Sequence, residues 1–280
     1  MRDEARRLGF GLLTLSGLRR RGFFIPYRYA DHVPSRPNRA PYEALEPLFA
    51  AAEPAFAALL DRIDAHAGAL QAIGGGRPPE PRWRQDWFPR LDAAAAYVLL
   101  RDRRPRRIVE VGSGHSTRFL ARAIRDAGLA TELTAIDPAP RASLDGLGAS
   151  MIRKTVQEAG VAPFAALAPG DMLFIDSSHI LLPGTDVDFL FNRVLPTLPA
   201  GVLVHIHDVF LPDDYPPGWD WRGYNEQLGV AALIQGGGFR LLWASRYVAT
   251  RMADAVASSA AGGLDLMPDA HEASLWLAKV

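Results

Sequence analysis

The sequence predicts an α/β fold, a mostly parallel sheet with helices on both faces, preceded by a helical extension. Three observations predict it. Residues 107–124, RIVEVGSGHSTRFLARAI, run an apolar strand into a glycine turn and straight on into an amphipathic helix. The apolar runs MLFID (172–176) and GVLVHIHD (201–208) read as strands buried on both faces, which is the mark of a parallel sheet. Helical segments separate these strands, as crossover connections require.

The elements follow in order. Residues 8–18, LGFGLLTLSGL, are about a third short of a membrane span and lack an A-x-A cleavage pattern. They read as an amphipathic helix that packs on the domain or on a second subunit. Cytoplasmic placement, no membrane partner and a homo-oligomer formed through this extension are the resulting expectations. Residues 24–41 are proline-broken and irregular. Residues 42–72 place Leu45, Leu48, Phe49, Ala52, Phe56, Leu59, Leu60 and Ile63 at helical spacing, a core face. IGGGRPPEP (73–81) supplies a linker, so the division expected is 1–80 for the extension and 81–280 for the main domain. PRWRQDWFP (81–89) carries aromatics that either pack or cover the crevice. A helix opens at Pro89, and its arginine-rich end, RDRRPRR (101–107), meets the negative pole of the helix dipole.

After the glycine turn the reading places a helix at 118–128 and strands at 131–137 and 151–157. A helix at 186–198 joins the two acid-ending strands. VFLPDDYPPGWDWRGYNEQ then forms a loop over the strand ends, with Tyr215, Trp219, Trp221 and Asn225 as candidate acceptor contacts. A helix at 224–234 and two final strands, FRLLWASRYVA and EASLWLAKV, antiparallel to one another, complete the chain.

Composition narrows the function. The 280 residues are 49% apolar, enough for a substantial core, and contain no cysteine, which removes disulfides, thiolate metal sites and cysteine nucleophiles. A formal net charge of zero argues against a nucleic-acid partner and favours a small molecule.

The chemistry sits at the strand ends. Gly112 and Gly114 let the backbone turn tightly beside a ligand while the amides of the following helix point into the same space. Glu110 stands two residues before the first glycine in an apolar strand, where a carboxylate needs a partner, and is expected to face the ligand. Asp137, ending the next strand, can accept hydrogen bonds from ribose hydroxyls. Asp176, His179, His207 and Asp208 end the two apolar runs and are expected to meet at the crevice outside the sheet. His205 is read as a hydrogen-bonded core histidine, and His115 as a cofactor cover or a helix cap.

The turn E-V-G-S-G-H-S resembles motif I (ExGxGxG) of the class I S-adenosylmethionine-dependent methyltransferases, with Ser116 in place of the last glycine. About 190 residues, Pro89 to Val280, share the resemblance, and FIDSSH and HIHD look like a small-molecule subgroup of that family. It implies a Rossmann-like sheet of seven strands, S-adenosylmethionine over Gly112, Ser113 and Gly114, its ribose at Asp137 and its sulfonium near Asp176. It also implies methyl transfer to a small-molecule acceptor. His179 or His207 would deprotonate an acceptor hydroxyl, with Asp208 beside them. FIDSSH is also similar in placement to the acid-x-x-lysine segment of the metal-dependent catechol O-methyltransferases. On that likeness Asp176 would be a metal ligand and His179 the base, with Asp208 as the second acidic ligand, although Val209 stands where that family has an asparagine ligand; a divalent metal held by Asp176, Asp208 and one of His179 or His207, His179 first, is the alternative. An NAD-dependent oxidoreductase is the alternative of another class, weakened because Thr117 occupies the third glycine position of the dinucleotide fingerprint.

Overall fold

The computed structural model describes residues 2–34, 39–140 and 143–280. Positions 35–38 of the proline-broken stretch therefore lie outside the described residues.

Helices α1 (Arg2–Leu15), α2 (Glu53–Ala65) and α3 (Arg90–Arg103) precede the sheet. Strand β1 (Arg107–Val111) leads through the glycine turn into α4 (His115–Asp126), and β2 (Glu132–Ile136), β3 (Ser150–Ile152), β4 (Met172–Ile175) and β5 (Leu203–Ile206) follow. Helix α5 (Glu226–Gln235), strand β6 (Phe239–Ala244), helix α6 (Ser245–Arg251) and strand β7 (Leu275–Lys279) end the chain. The seven strands form one sheet in the order β3-β2-β1-β4-β5-β7-β6. The first five in this order run parallel, and β7 inserts antiparallel between β5 and β6. This is the Rossmann-like, mostly parallel arrangement expected.

Burial explains why these residues form strands. All four residues of β4 and of β5 are buried, so helices must cover both faces. The helical face read at 42–72 packs into the same core except at Leu48, which is exposed, with Phe56 edge-on to Trp243 and Phe49 stacked on Tyr247. Trp83 packs against Phe119, and Phe88 against Phe174. Trp83 is thus core, whereas Trp87 and Phe88 border the cavity described below.

Three element boundaries depart from the reading. The third strand stops at Ile152 because Thr155 caps a short helix, accepting from the Glu158 amide while Glu158 bonds back to the Thr155 amide. The segment 186–198 opens helically, widens to a π turn at Leu190–Val194 and tightens to a 3₁₀ turn at Leu195–Thr197, where Pro196 has no amide to donate. FRLLWASRYVA is strand only to Ala244, after which Ser245 opens α6.

Register sets the site. Val111, Ile175 and Ile206 lie side by side on β1, β4 and β5, and Ile136 lies beside Val111 on β2. The next residue on each strand is Asp137, Gly112, Asp176 and His207. Backbone bonds continue past the strand ends, from the Gly112 amide to the Ile136 carbonyl, from Asp176 to Val111 and from His207 to Ile175. Four chemistry-bearing positions therefore share one level along the carboxyl edge of the sheet, where ligands of open α/β folds bind.

Candidate active site

A cavity of about 970 Å³ opens along this edge. One end is lined by Gly112, Ser113, Gly114, Asp137 and Ala139, the middle by Asp176, His179, His207 and Asp208, and the other end by Trp219, Arg222, Tyr224 and His271. Its size and its mixture of aromatic walls with convergent polar groups suit a nucleoside cofactor with a small acceptor beside it.

The glycine turn is held from below. Gly112 has φ +91°, a conformation that disfavours any other residue, and a Cβ there would drive into the Asp176 backbone carbonyl. Ser113 Oγ donates to Asp137 Oδ2 at 2.7 Å, and the Ala139 amide donates to Asp137 Oδ1 at 2.8 Å. These bonds orient the carboxylate at the cavity wall. Glu110 behaves differently from expectation. It is fully buried, does not line the cavity, and accepts from Ser116 Oγ at 2.6 Å and Thr117 Oγ1 at 2.7 Å. Thr117 Oγ1 in turn accepts the Gly114 amide at 2.9 Å. The acid therefore braces the turn from behind, with both oxygens occupied. Burial pushes its pKa to about 8 against the pull of the two hydroxyls.

The centre of the cavity is a ring of alternating charges. His179 Nε2 lies 3.5 Å from Asp176 Oδ1 and 3.4 Å from Asp208 Oδ2, and His207 Nδ1 lies 3.5 Å from Asp176 Oδ1 and from Asp208 Oδ1. Each imidazole is held from the far side by a buried acid. His179 Nδ1 meets Glu226 Oε2 at 2.8 Å, and His207 Nε2 meets Asp92 Oδ2 at 3.3 Å. Asp92 also accepts the amides of Ala273 and Ser274, and Glu226 opens α5. Burial lowers the pKa of both histidines, but Asp208 and Asp176 outweigh it for both, joined by Glu226 for His179 and by Asp92 for His207. Each ends well above 6.5. Burial raises Asp176, yet the two imidazoles bring it far below the usual carboxylate range.

Backbone strain concentrates here. His179 (φ 60°) and Asp208 (φ 55°) are two of four non-glycine residues with positive φ among the described residues. Such conformations cost free energy and persist where the surroundings enforce them. For His179, the amides of Asn225 and Glu226 both donate to its carbonyl.

The cluster Asp176, His179, His207 and Asp208 thus meets as the sequence suggested. His205 is a core residue, stacked on Phe174 at 3.6 Å and bonded to Ser274 Oγ. His115 lines the cavity, its pKa lowered by burial to about 4. Of the four loop contacts expected, only Trp219 reaches the cavity. Tyr215 is buried against Phe210, Trp221 lies beside Arg222, and Asn225 bonds the Leu181 backbone. The sequence reading missed Glu226, Asp92 and Tyr224, whose ring sits 4.6 Å from that of His179. A lone acid in the otherwise apolar run LDAAAAYVLL was the available signal for Asp92.

The expected metal set, Asp176, Asp208 and His179, does not fit. Among the described residues no group of three or more His, Asp or Glu side chains is arranged to hold a metal ion. Asp208 turns its two oxygens to different imidazoles and so completes a ring of ion pairs.

Residues 109–209 match the family model of a methyltransferase domain. No curated protein sequence matches the chain. Among solved structures it is similar to an SAH-bound methyltransferase of Podospora anserina, at 16% identity and a TM-score of 0.43 over 92% of this chain and 99% of that one. A second similar structure is an O-methyltransferase of Streptomyces achromogenes involved in tomaymycin synthesis, in complex with SAM, at 18% identity and a TM-score of 0.40 over 80% and 89%. The matched stretch, 109–209, contains the glycine turn, both histidines and both aspartates of the ring. Among the described residues no helix is long and apolar enough to cross a membrane.

Proposed function

We propose that this protein transfers a methyl group from S-adenosylmethionine to a hydroxyl oxygen of a small-molecule acceptor, with His179 or His207 as general base. The observation that carries the reading is the pair of buried imidazoles at the cavity, each anchored by a buried carboxylate on one nitrogen and turned with the other toward Asp176 and Asp208. Residues 81–280 would supply this chemistry and 1–80 a helical extension. The glycine turn fits a nucleoside cofactor, since its unhindered backbone and the Ser113-oriented Asp137 border one end of the cavity. Gly112, Ser113, Gly114 and Asp137 would hold the cofactor, and Asp176 would lie beside its positive centre. When bound, the cofactor supplies an activated methyl group on a sulfonium.

The chain's own residues do the rest. Methyl transfer is an in-line displacement, so positioning carries most of the rate and one base completes it. The acceptor hydroxyl gives its proton to His179 Nε2 or His207 Nδ1 as its oxygen takes the methyl. Glu226 or Asp92 steadies the imidazolium formed. Trp219 and Tyr224 wall the acceptor end, and their aromatic faces suit a ring-bearing or amphipathic molecule. The sheet disfavours the oxidoreductase alternative. A dinucleotide fold repeats its parallel nucleotide-binding half beyond the switch point, whereas here the antiparallel pair β7-β6 follows β5.

Conversion of S-adenosylmethionine to S-adenosylhomocysteine, followed across a panel of phenols and alcohols, tests the reading. His179→Ala or His207→Ala lowers kcat by about 10²–10⁴ for the histidine that serves as base. Unchanged turnover in both variants removes the imidazole base from the account.

A further inference from the structure

Helix α1 turns the wrong face outward. Its half-buried residues Phe10, Leu13 and Thr14 lie on the side toward the domain, where Arg7 reaches Asp220 of the 3₁₀ turn at Pro217–Arg222. Leu8, Leu12 and Leu15, spaced i, i+4 and i+7, form a stripe on the opposite side and are 60–66% exposed. Beyond the helix, Leu18 (81% exposed), Phe23, Phe24 and Ile25 are exposed as well. So many exposed apolar side chains within one short segment mark an interaction site.

Charge decides what covers it. Between Glu4 and Asp31 the chain contains six arginines, Arg6, Arg7, Arg19, Arg20, Arg21 and Arg28, and no acid. All six are exposed; Arg20 lies over Phe23 and Arg28 over Tyr29, while Arg6 and Arg21 lie over Phe10 and Arg7 reaches Asp220. A second copy meeting this face would bring a second cationic set against the first. An anionic lipid surface supplies the opposite charge to the arginines and a hydrocarbon boundary to the leucines and phenylalanines.

We propose that residues 5–29 dock on an anionic membrane surface, with α1 lying in the interface plane and Arg19, Arg20 and Arg21 among the phosphates. The segment is too short to span and lies along the bilayer, so the site differs from a transmembrane anchor and revises the sequence expectation that no membrane is involved. Phe23 also lines the cavity, which brings the docked segment to the cavity mouth. Docking of this segment does not depend on the proposed methyl transfer.

Cosedimentation of the full chain with phosphatidylcholine vesicles, with and without 30% phosphatidylserine, tests the proposal, and sedimentation equilibrium without lipid reports the oligomeric state. Apparent affinity should rise about ten-fold or more with phosphatidylserine and fall as salt is raised. Arg19→Glu, Arg20→Glu and Arg21→Glu combined should abolish that rise, and Leu12→Ser with Leu15→Ser should weaken binding while leaving far-UV circular dichroism and the thermal midpoint unchanged. Equal or absent binding to the two vesicle types overturns the proposal. So does a dimer without lipid that the leucine substitutions dissociate.

Discussion

Glu226 gives the sharpest mechanistic prediction. Its Oε2 stands 2.8 Å from His179 Nδ1, and both side chains are at most 4% exposed. Glu226→Ala leaves a buried imidazolium N–H without its acceptor, a loss of about 3–5 kcal/mol when a buried pair is broken from one side. Glu226→Gln keeps an oxygen acceptor and removes the charge. It should cost less, on the order of 1–2 kcal/mol, the difference between a charge-assisted and a neutral hydrogen bond. The pH dependence follows by sign. His179 is raised well above 6.5, so its ion pairs contribute stability that is fully present below pH 6.5 and is lost as pH rises through the folded value. The penalty of Glu226→Ala should therefore shrink at alkaline pH. In kinetics a raised imidazole must lose its proton before it can act as a base, so the rising limb of kcat/KM lies above pH 6.5 in the wild type. It moves to lower pH in Glu226→Gln. Urea denaturation at pH 6 and at pH 9.5, with pH–rate profiles of all three proteins, checks this. A Glu226→Ala protein within 1 kcal/mol of wild type at pH 6, together with an unmoved limb in Glu226→Gln, refutes the anchored-base reasoning.

Other predictions address the turn and the metal. Gly112→Ala combines a left-handed φ with a clash at the Asp176 carbonyl and should lose about 3 kcal/mol or more by urea denaturation; a loss under 1 kcal/mol would mean that the turn relaxes freely. Glu110, raised to about 8 by burial, contributes stability that is present below pH 4.5 and declines as pH rises from 4.5 to about 8. Glu110→Gln should flatten that decline in thermal melts taken at pH 5, 7 and 9, and an unchanged slope would contradict the burial argument. Exhaustive treatment with EDTA should leave kcat/KM unchanged; loss of activity restored by one divalent cation would show that the ring of ion pairs opens into a metal site.

The parts of the molecule that were legible in the sequence share a physical cause. Runs such as MLFID and GVLVHIHD are apolar on both faces because helices cover both sides of the sheet, and burial of that kind leaves a local signature. The four residues ending those runs converge because parallel neighbours in register present their carboxyl ends on one edge. Thr155 and Glu158 were equally legible as a capping box, yet the β-rich composition of MIRKTVQ masked them. Glu226 and Asp92 were beyond reach for a different reason. They lie 47 and 115 residues from the histidines they hold, and each comes from a helix whose docking on the sheet no local spacing encodes. The inward role of Glu110 was also hidden. The strand pattern showed that the carboxylate needed a partner, but only the folded turn shows Ser116 and Thr117 closing over it.

Isothermal titration of the protein with S-adenosylmethionine, beside a parallel titration with NAD, tests the central claim most directly. The account predicts saturable binding of S-adenosylmethionine at one site per chain, weakened by Asp137→Ala, and no heat from NAD. Saturable NAD binding with no response to S-adenosylmethionine would contradict it.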